Sequence, residues 1–291
     1  MSIAATDALH FSVRGLGVTL SADPPSLLGP LSHLAVHARD DEPVVRELRF
    51  TLSIAGPDKL RVREDDAADA REVCCIEAAL TGIAQRISTR ALALYADKTC
   101  LHGASMSIDG RPALFVGARG SGKTTLMLRL LLDGAAFHGD EYVLTGADGM
   151  AHSLPRVLHV KPGTLERLPA VAEACRGKPR LQLRWDNDFY PLDPTDLGHD
   201  WRSVDARPAA IFFLTPAFDA PPAIEPMAQI DMVRELMQQV IGIDQTIGRQ
   251  ARDVCALVRG TPCFGLRVGD LDATAARVCE TLRALPTASA G

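Results

Sequence analysis

Gly117, Ala118, Arg119, Gly120, Ser121, Gly122, Lys123 and Thr124 read GARGSGKT and match the spacing GxxxxGK[ST] at every fixed position. Glycines so placed let successive backbone N–H groups turn inward around an anion, and a helix beginning at the lysine adds the positive end of its dipole. Lys123 then reaches the β- and γ-phosphates of a nucleoside triphosphate. The Thr124 hydroxyl stands where magnesium needs a ligand, since that ion takes few protein oxygens and fills its octahedron with phosphates and water. Thr125 begins the buried face of the helix. A glycine-rich turn that only caps a helix is the plainer alternative. Against it stand the apolar strand ALFV before the loop and the apolar helical run LMLRLLL after it, the setting this motif requires. The sequence therefore predicts ATP and Mg2+ as the ligands of residues 117–125.

Two acids and a histidine lie within reach in sequence. Asp140 and Glu141, in HGDEYV, follow a short apolar run seventeen and eighteen residues after Lys123, about where a second strand emerges beside the first. Adjacent side chains of a strand point to opposite faces. One carboxylate can thus face magnesium while the other, at a bulge or strand end, takes a proton from an attacking hydroxyl; phosphoryl transfer asks acids for both tasks. A solvated turn is the simpler explanation of the same pair. His102 opens the run HGASMSIDGRPALFV, in which the two-residue Asp109-Gly110 connection is the strongest local signal for a β-hairpin. With Ile108 facing Arg111, counting outward along the antiparallel pair brings His102 opposite Gly117, at the mouth of the loop.

Around these residues the chain alternates strand-like and helical stretches, which predicts an α/β fold. Residues 11–63 carry short β-like runs separated by Pro and Gly. From Asp69, Val73, Ile76, Leu80, Ile83, Ile87, Ala91 and Leu94 recur at helical steps and predict an amphipathic helix to about Tyr95. Residues 175–205 read as a long polar, aperiodic excursion before the buried strand AAIFFL. Helices follow from about Asp231 and Asp244, then a strand CFGLRV and a last helix to Leu285. This divides the chain into a small α+β region, 1–95, and a core carrying the loop, 96–291.

Composition narrows the classes. The 291 residues are 47% hydrophobic and 23% charged, an ordinary balance for a chain with a sizeable core. A net charge of -5, with three Tyr and two Trp, gives neither a basic footprint nor many stacking rings, so nucleic acid is not an expected partner. Seven cysteines without CxxC spacing read as buried reduced thiols. No apolar stretch approaches the roughly 18 residues that span a bilayer, and the N-terminus lacks the pattern of a signal peptide. The expectation is a cytoplasmic chain without a membrane partner, with room for a homo-oligomer.

Taken together, His102, the loop and Asp140-Glu141 resemble the HPr kinase/phosphorylase superfamily, and within it the HPr-kinase-related kinases. That family has a His opening the first hairpin strand, a Walker A loop with its lysine twenty-one residues on, and an acidic pair after the next strand, a pattern matched here over about residues 100–145. The resemblance implies a core related to that of phosphoenolpyruvate carboxykinase, entered through a hairpin. It implies Glu141 as the catalytic carboxylate with Asp140 beside it, His102 assisting near the γ-phosphate, and Thr124 as a metal ligand. The family's second acid is usually Asp where Glu141 stands, and its ExRGxG signature is absent from LHVKPGT, so phosphorylase activity is not carried over. In that place stand Arg156, His159 and Lys161, which could hold a phosphate or acidic substrate, although a solvated strand face explains them as simply.

The expected activity is an ATP-dependent transfer of the γ-phosphate to a hydroxyl, on Ser or Thr of a small protein or peptide or on a small metabolite. The alternative is a nucleotide-binding regulatory module without transfer. A GTPase is disfavoured: no NKxD element is present, and the one asparagine, Asn187, lies in DND.

Overall fold

The computed structural model describes residues 8–39, 42–65, 70–183, 187–242 and 246–286. The chain forms two compact units, one from residues 1–94 and 156–200, the other from 95–155 and 201–291. One change of unit falls between residues 94 and 95. Residues 156–200, expected in the core that carries the loop, group instead with the N-terminal stretch.

Among the described residues, the first unit holds a five-stranded sheet in the order Ala8–Val13, Leu16–Asp23, Arg46–Gly56, Lys59–Glu64, Arg71–Val73. Its pairs are antiparallel except the second with the third. Strand alternation places Leu48, Phe50 and Leu52 inside, while Glu47 and Arg49 face water. The helix Ile76–Ala93 buries Ala79, Leu80, Ile83, Ile87 and Ala91. It starts later than its stripe suggested: Arg71–Val73 pairs with Lys59–Glu64 as an edge strand, so Val73 fits the helical period by coincidence. Asp69, where the stripe began, lies outside the described residues.

The stretch 175–205 is not aperiodic. Leu181–Leu183 and Asn187–Leu192 pair antiparallel, and Leu158–Val160 pairs with the far side of Asn187–Leu192. Leu181, Phe189 and Leu192 are buried; the Pro and Asp residues between them hid the short strands. Hydrogen bonds tie this stretch to the N-terminal part of its unit, among them Thr81 Oγ1 to the Gln182 carbonyl at 3.3 Å and His37 N to Asp193 Oδ2 at 3.1 Å.

The second unit is built on a mixed sheet in the order Asp205–Ala206, Ala151–Ser153, Ala136–Thr145, Thr99–Ile108, Arg111–Val116, Ala210–Pro216, Cys263–Val268, Ala223–Pro226, with Val240–Ile241 also pairing Thr99–Ile108. Arg111–Val116, Ala210–Pro216 and Cys263–Val268 run parallel. They read as near-continuous apolar runs because both faces are covered: Leu114, Phe115, Val116, Ile211, Phe212 and Leu214 are all buried. The helix Lys123–Leu132 buries Leu126, Met127, Leu128, Leu130 and Leu131. Helices Gln229–Met237, Ile247–Val258 and Leu271–Ala284 complete the unit. The helix expected from Asp244 begins at Ile247, and Asp244 itself lies outside the described residues.

The cysteines correct one expectation. Cys100, Cys175 and Cys263 are buried thiols, but Cys74, Cys75 and Cys255 are exposed, the first two in the turn before the helix Ile76–Ala93 and the third on the wet face of Ile247–Val258. Among the described residues, no helix is long and apolar enough to cross a membrane.

Candidate functional site

The site is assembled by two strand pairings made by Thr99–Ile108. On one side it pairs with Arg111–Val116 through a turn in which Asp109 and Gly110 both have positive φ, 50° and 74°, the geometry favoured for two-residue hairpins. Ile108 faces Arg111 and the ladder runs to Gly103 opposite Val116. His102 and Gly117 are the next residues outward, as the sequence count places them. Gly103 allows the hairpin to close here, since a Cβ on it would come within 3.1 Å of Val116 Cγ1.

On its other side the same strand pairs with Ala136–Thr145. His102 lies opposite Tyr142, Gly103 opposite Glu141 and Ala104 opposite Asp140. Between Ser105 and Met106 the register slips, leaving His138 as an extra residue. The acids therefore sit within a strand just after a bulge, not on a solvated turn. Bulges bend and twist a strand and re-aim its side chains. Glu141 is further re-aimed by a φ of 83°, a left-handed conformation that is rare for a residue with a long side chain and costs about 1–3 kcal/mol. Strict alternation is broken there.

The side chains meet as follows. The Thr124 hydroxyl donates to Asp140 Oδ2 at 2.7 Å, and Asp140 Oδ1 accepts the Glu141 N–H at 2.9 Å. Asp140 is 5% exposed. His102 Nε2 lies 3.6 Å from Glu141 Oε2, and the His102 N–H is fixed by the Gln239 carbonyl at 2.8 Å. Lys123, also 5% exposed, donates from Nζ to the carbonyls of Gly117 at 2.6 Å and Ala118 at 3.2 Å. On the same strand as His102, burial pushes the Cys100 thiol up to about 12, and the Glu141 carboxylate adds to the effect, which favours the protonated thiol.

The loop has the shape of a cradle. Gly117, Gly120 and Gly122 all have positive φ. A Cβ on Gly117 would stand 2.7 Å from the Leu214 carbonyl, closer than any side chain tolerates. Gly122 precedes the first turn of the helix Lys123–Leu132 in a left-handed conformation. Ser121 Oγ is buried without a hydrogen-bond partner among the described residues, an orphan that a phosphate oxygen would satisfy. Ala118, Arg119 and Gly120 form the exposed tip. These residues could hold a triphosphate with magnesium: the ion takes one or two carboxylates plus phosphate oxygens and water, and Asp140 could supply the carboxylate with the Thr124 hydroxyl beside it.

Arg156, His159 and Lys161 lie in the other unit. Arg156 Nη2 hydrogen-bonds the His159 ring, which stacks on Phe189 with centroids 3.6 Å apart. Within their own unit the first two form a packed local cluster and not a bare strand face. Two residues had no signal in the sequence. His138 is recognisable only once the bulge is known. Phe218, in PAFDAPP after the strand Ala210–Pro216, brings its ring beside Gly122; an aromatic residue in a Pro-rich turn carries no pattern that would single it out.

Neither a protein-family model nor a curated protein matches the chain. Among solved structures, the chain is similar to the Hpr(Ser) kinase/phosphatase from Coxiella burnetii at 12% identity, covering 63% of this chain and 88% of that one, with a TM-score of 0.31. A likeness that slight carries no argument about activity.

Proposed function

We propose that the second unit binds ATP with magnesium at residues 117–125 and transfers the γ-phosphate to a hydroxyl acceptor, a Ser or Thr of a small protein or peptide or a small metabolite. The observation that carries this reading is the pairing of two carboxylates with different tasks at one loop: Asp140 bonded to Thr124, and Glu141 turned by its left-handed backbone toward His102.

ATP supplies the transferable phosphoryl group, and magnesium neutralises its charge. The loop amides and Lys123 hold the phosphates, and Lys123 exchanges its present carbonyl partners for them. Thr124 and Asp140 would hold the ion. Glu141 orients the acceptor hydroxyl and takes its proton as the new O–P bond forms, leaving ADP as the departing group. His102 fixes the Glu141 carboxylate. Positioning and electrostatic stabilisation account for most of the catalysis such a site can give, since phosphoryl transfer asks little covalent chemistry of the protein.

Incubating the full chain with γ-phosphate-labelled ATP and a cell extract, then separating macromolecules from small molecules, tests the reading and sorts the acceptor. Label moving from ATP to a macromolecule, or to a small molecule other than orthophosphate, beyond what the extract gives without the chain, supports it. ATP bound with its label left in place contradicts it and leaves a regulatory module.

A further inference from the structure

Phe218 is a large apolar side chain left 48% exposed, and it stands at the loop. Its ring atoms Cε1 and Cζ lie 3.6 and 3.9 Å from where a Cβ on Gly122 would be, with Val268 Cγ1 also at 3.6 Å. The ring thus borders the helix end of the cradle, beside Lys123 and Thr124.

The turn that carries it is tied down. Ala217 N donates to the Val268 carbonyl at 2.9 Å and Ala220 N to the Ala217 carbonyl at 2.9 Å, while Arg267 Nε reaches the Pro221 carbonyl at 3.3 Å. Gly269 approaches so closely that a Cβ on it would be 2.1 Å from the Ala220 carbonyl. A fixed turn holds the ring half in water although an aromatic side chain gains most when buried.

Its place in the sheet matches this. Val116, Pro216 and Val268 end three parallel neighbours, with Phe213 opposite Val116 and Pro216 opposite Val268. The loop after Val116, the turn after Pro216 and Gly269 after Val268 therefore gather at the carboxyl ends of the parallel strands, the edge at which open α/β sheets bind their ligands.

We infer that Phe218 is the stacking platform for the base of the nucleotide held by residues 117–125, which makes this a nucleoside triphosphate site and not a site for phosphate alone. The inference rests on the function proposed above and adds the base to it. Stacking uses the π-face that every base has, so Phe218 contributes affinity without choosing between adenine and guanine.

The test compares the dissociation constants of ATP, GTP and inorganic tripolyphosphate, each with magnesium, for the full chain and for Phe218→Ala and Phe218→Trp. Phe218→Ala is expected to weaken ATP and GTP about tenfold, the effect of removing one aromatic stacking partner, and to leave tripolyphosphate unchanged. Phe218→Trp is expected to restore both nucleotides. Equal ATP binding by the alanine variant and the unaltered chain overturns the platform alone, as does equal weakening of all three ligands. An unaltered chain that binds none of them overturns the phosphate site as well.

Discussion

Glu141 holds a backbone conformation that glycine and asparagine adopt far more readily, inside a strand and just after its bulge. Strain of this kind persists only where the surroundings enforce it, and it clusters at sites that do chemistry. Glu141→Gly is therefore expected to stabilise the fold by about 1 kcal/mol, the left-handed penalty removed, while abolishing phosphate transfer. Urea denaturation alongside the transfer assay checks this; a variant less stable than the unaltered chain contradicts the strain argument. The contact with His102 subtracts little, since part-exposed pairs of this kind contribute weakly. The acids were legible as a pair, because two carboxylates after an apolar run are uncommon. Alternation suggested two different tasks but left open, on the residues alone, which acid takes which; the bulge and the positive φ at Glu141 add how the two side chains are re-aimed.

The hairpin and its bulge position these residues, and each element carries its own test. Gly117→Ala should destabilise the unit by about 1–3 kcal/mol, the range for overpacking a filled interior, and should weaken ATP, because the new Cβ meets the Leu214 carbonyl at 2.7 Å. Denaturation midpoints and nucleotide titration read the two effects. The bulge residue His138 gives a pH dependence. Its ring accepts from or donates to Ser107 Oγ at 2.8 Å and meets the Arg202 carbonyl at 3.3 Å. Burial lowers its pKa below the ordinary 6.5, outweighing the Arg202 carbonyl, which raises it. Below 6.5 the unfolded chain takes up a proton that the folded chain resists, so this contribution is intact above 6.5 and is lost as the pH falls toward the lowered value. Denaturation midpoints at several pH values between 5 and 8 should show that loss, reduced in His138→Gln. The hairpin itself was legible to the residue, because a two-residue Asp-Gly turn fixes register. A bulge near the acids was one of two options in the sequence, but its position at His138 was not legible, since no local residue type marks it.

The two units are each built from two separate stretches of chain, so a single cut liberates neither. A fragment of residues 96–291 keeps 156–200 but loses the helix residue Thr81 and the loop residue His37, to which Gln182 and Asp193 are bonded. It is expected to be less soluble and less cooperative in unfolding than the full chain; a well-folded, ATP-binding fragment contradicts this. A boundary near 95 was expected because a helical stripe ends there. The return of 156–200 to the first unit was not, because it depends on pairings between short strands whose buried residues are interrupted by Pro and Asp. Within the second unit, His102, the glycine-rich loop and the acids converge from segments that were each readable, and the ladder of Thr99–Ile108 is what joins them. The comparison of Glu141→Gln with the unaltered chain tests that convergence most directly, by measuring both the ATP dissociation constant and the rate of γ-phosphate loss. A rate reduced about 10²–10⁴-fold, the contribution of a general base, with ATP affinity within about twofold is the result expected; an unchanged rate contradicts Glu141 as the base and the kinase reading with it.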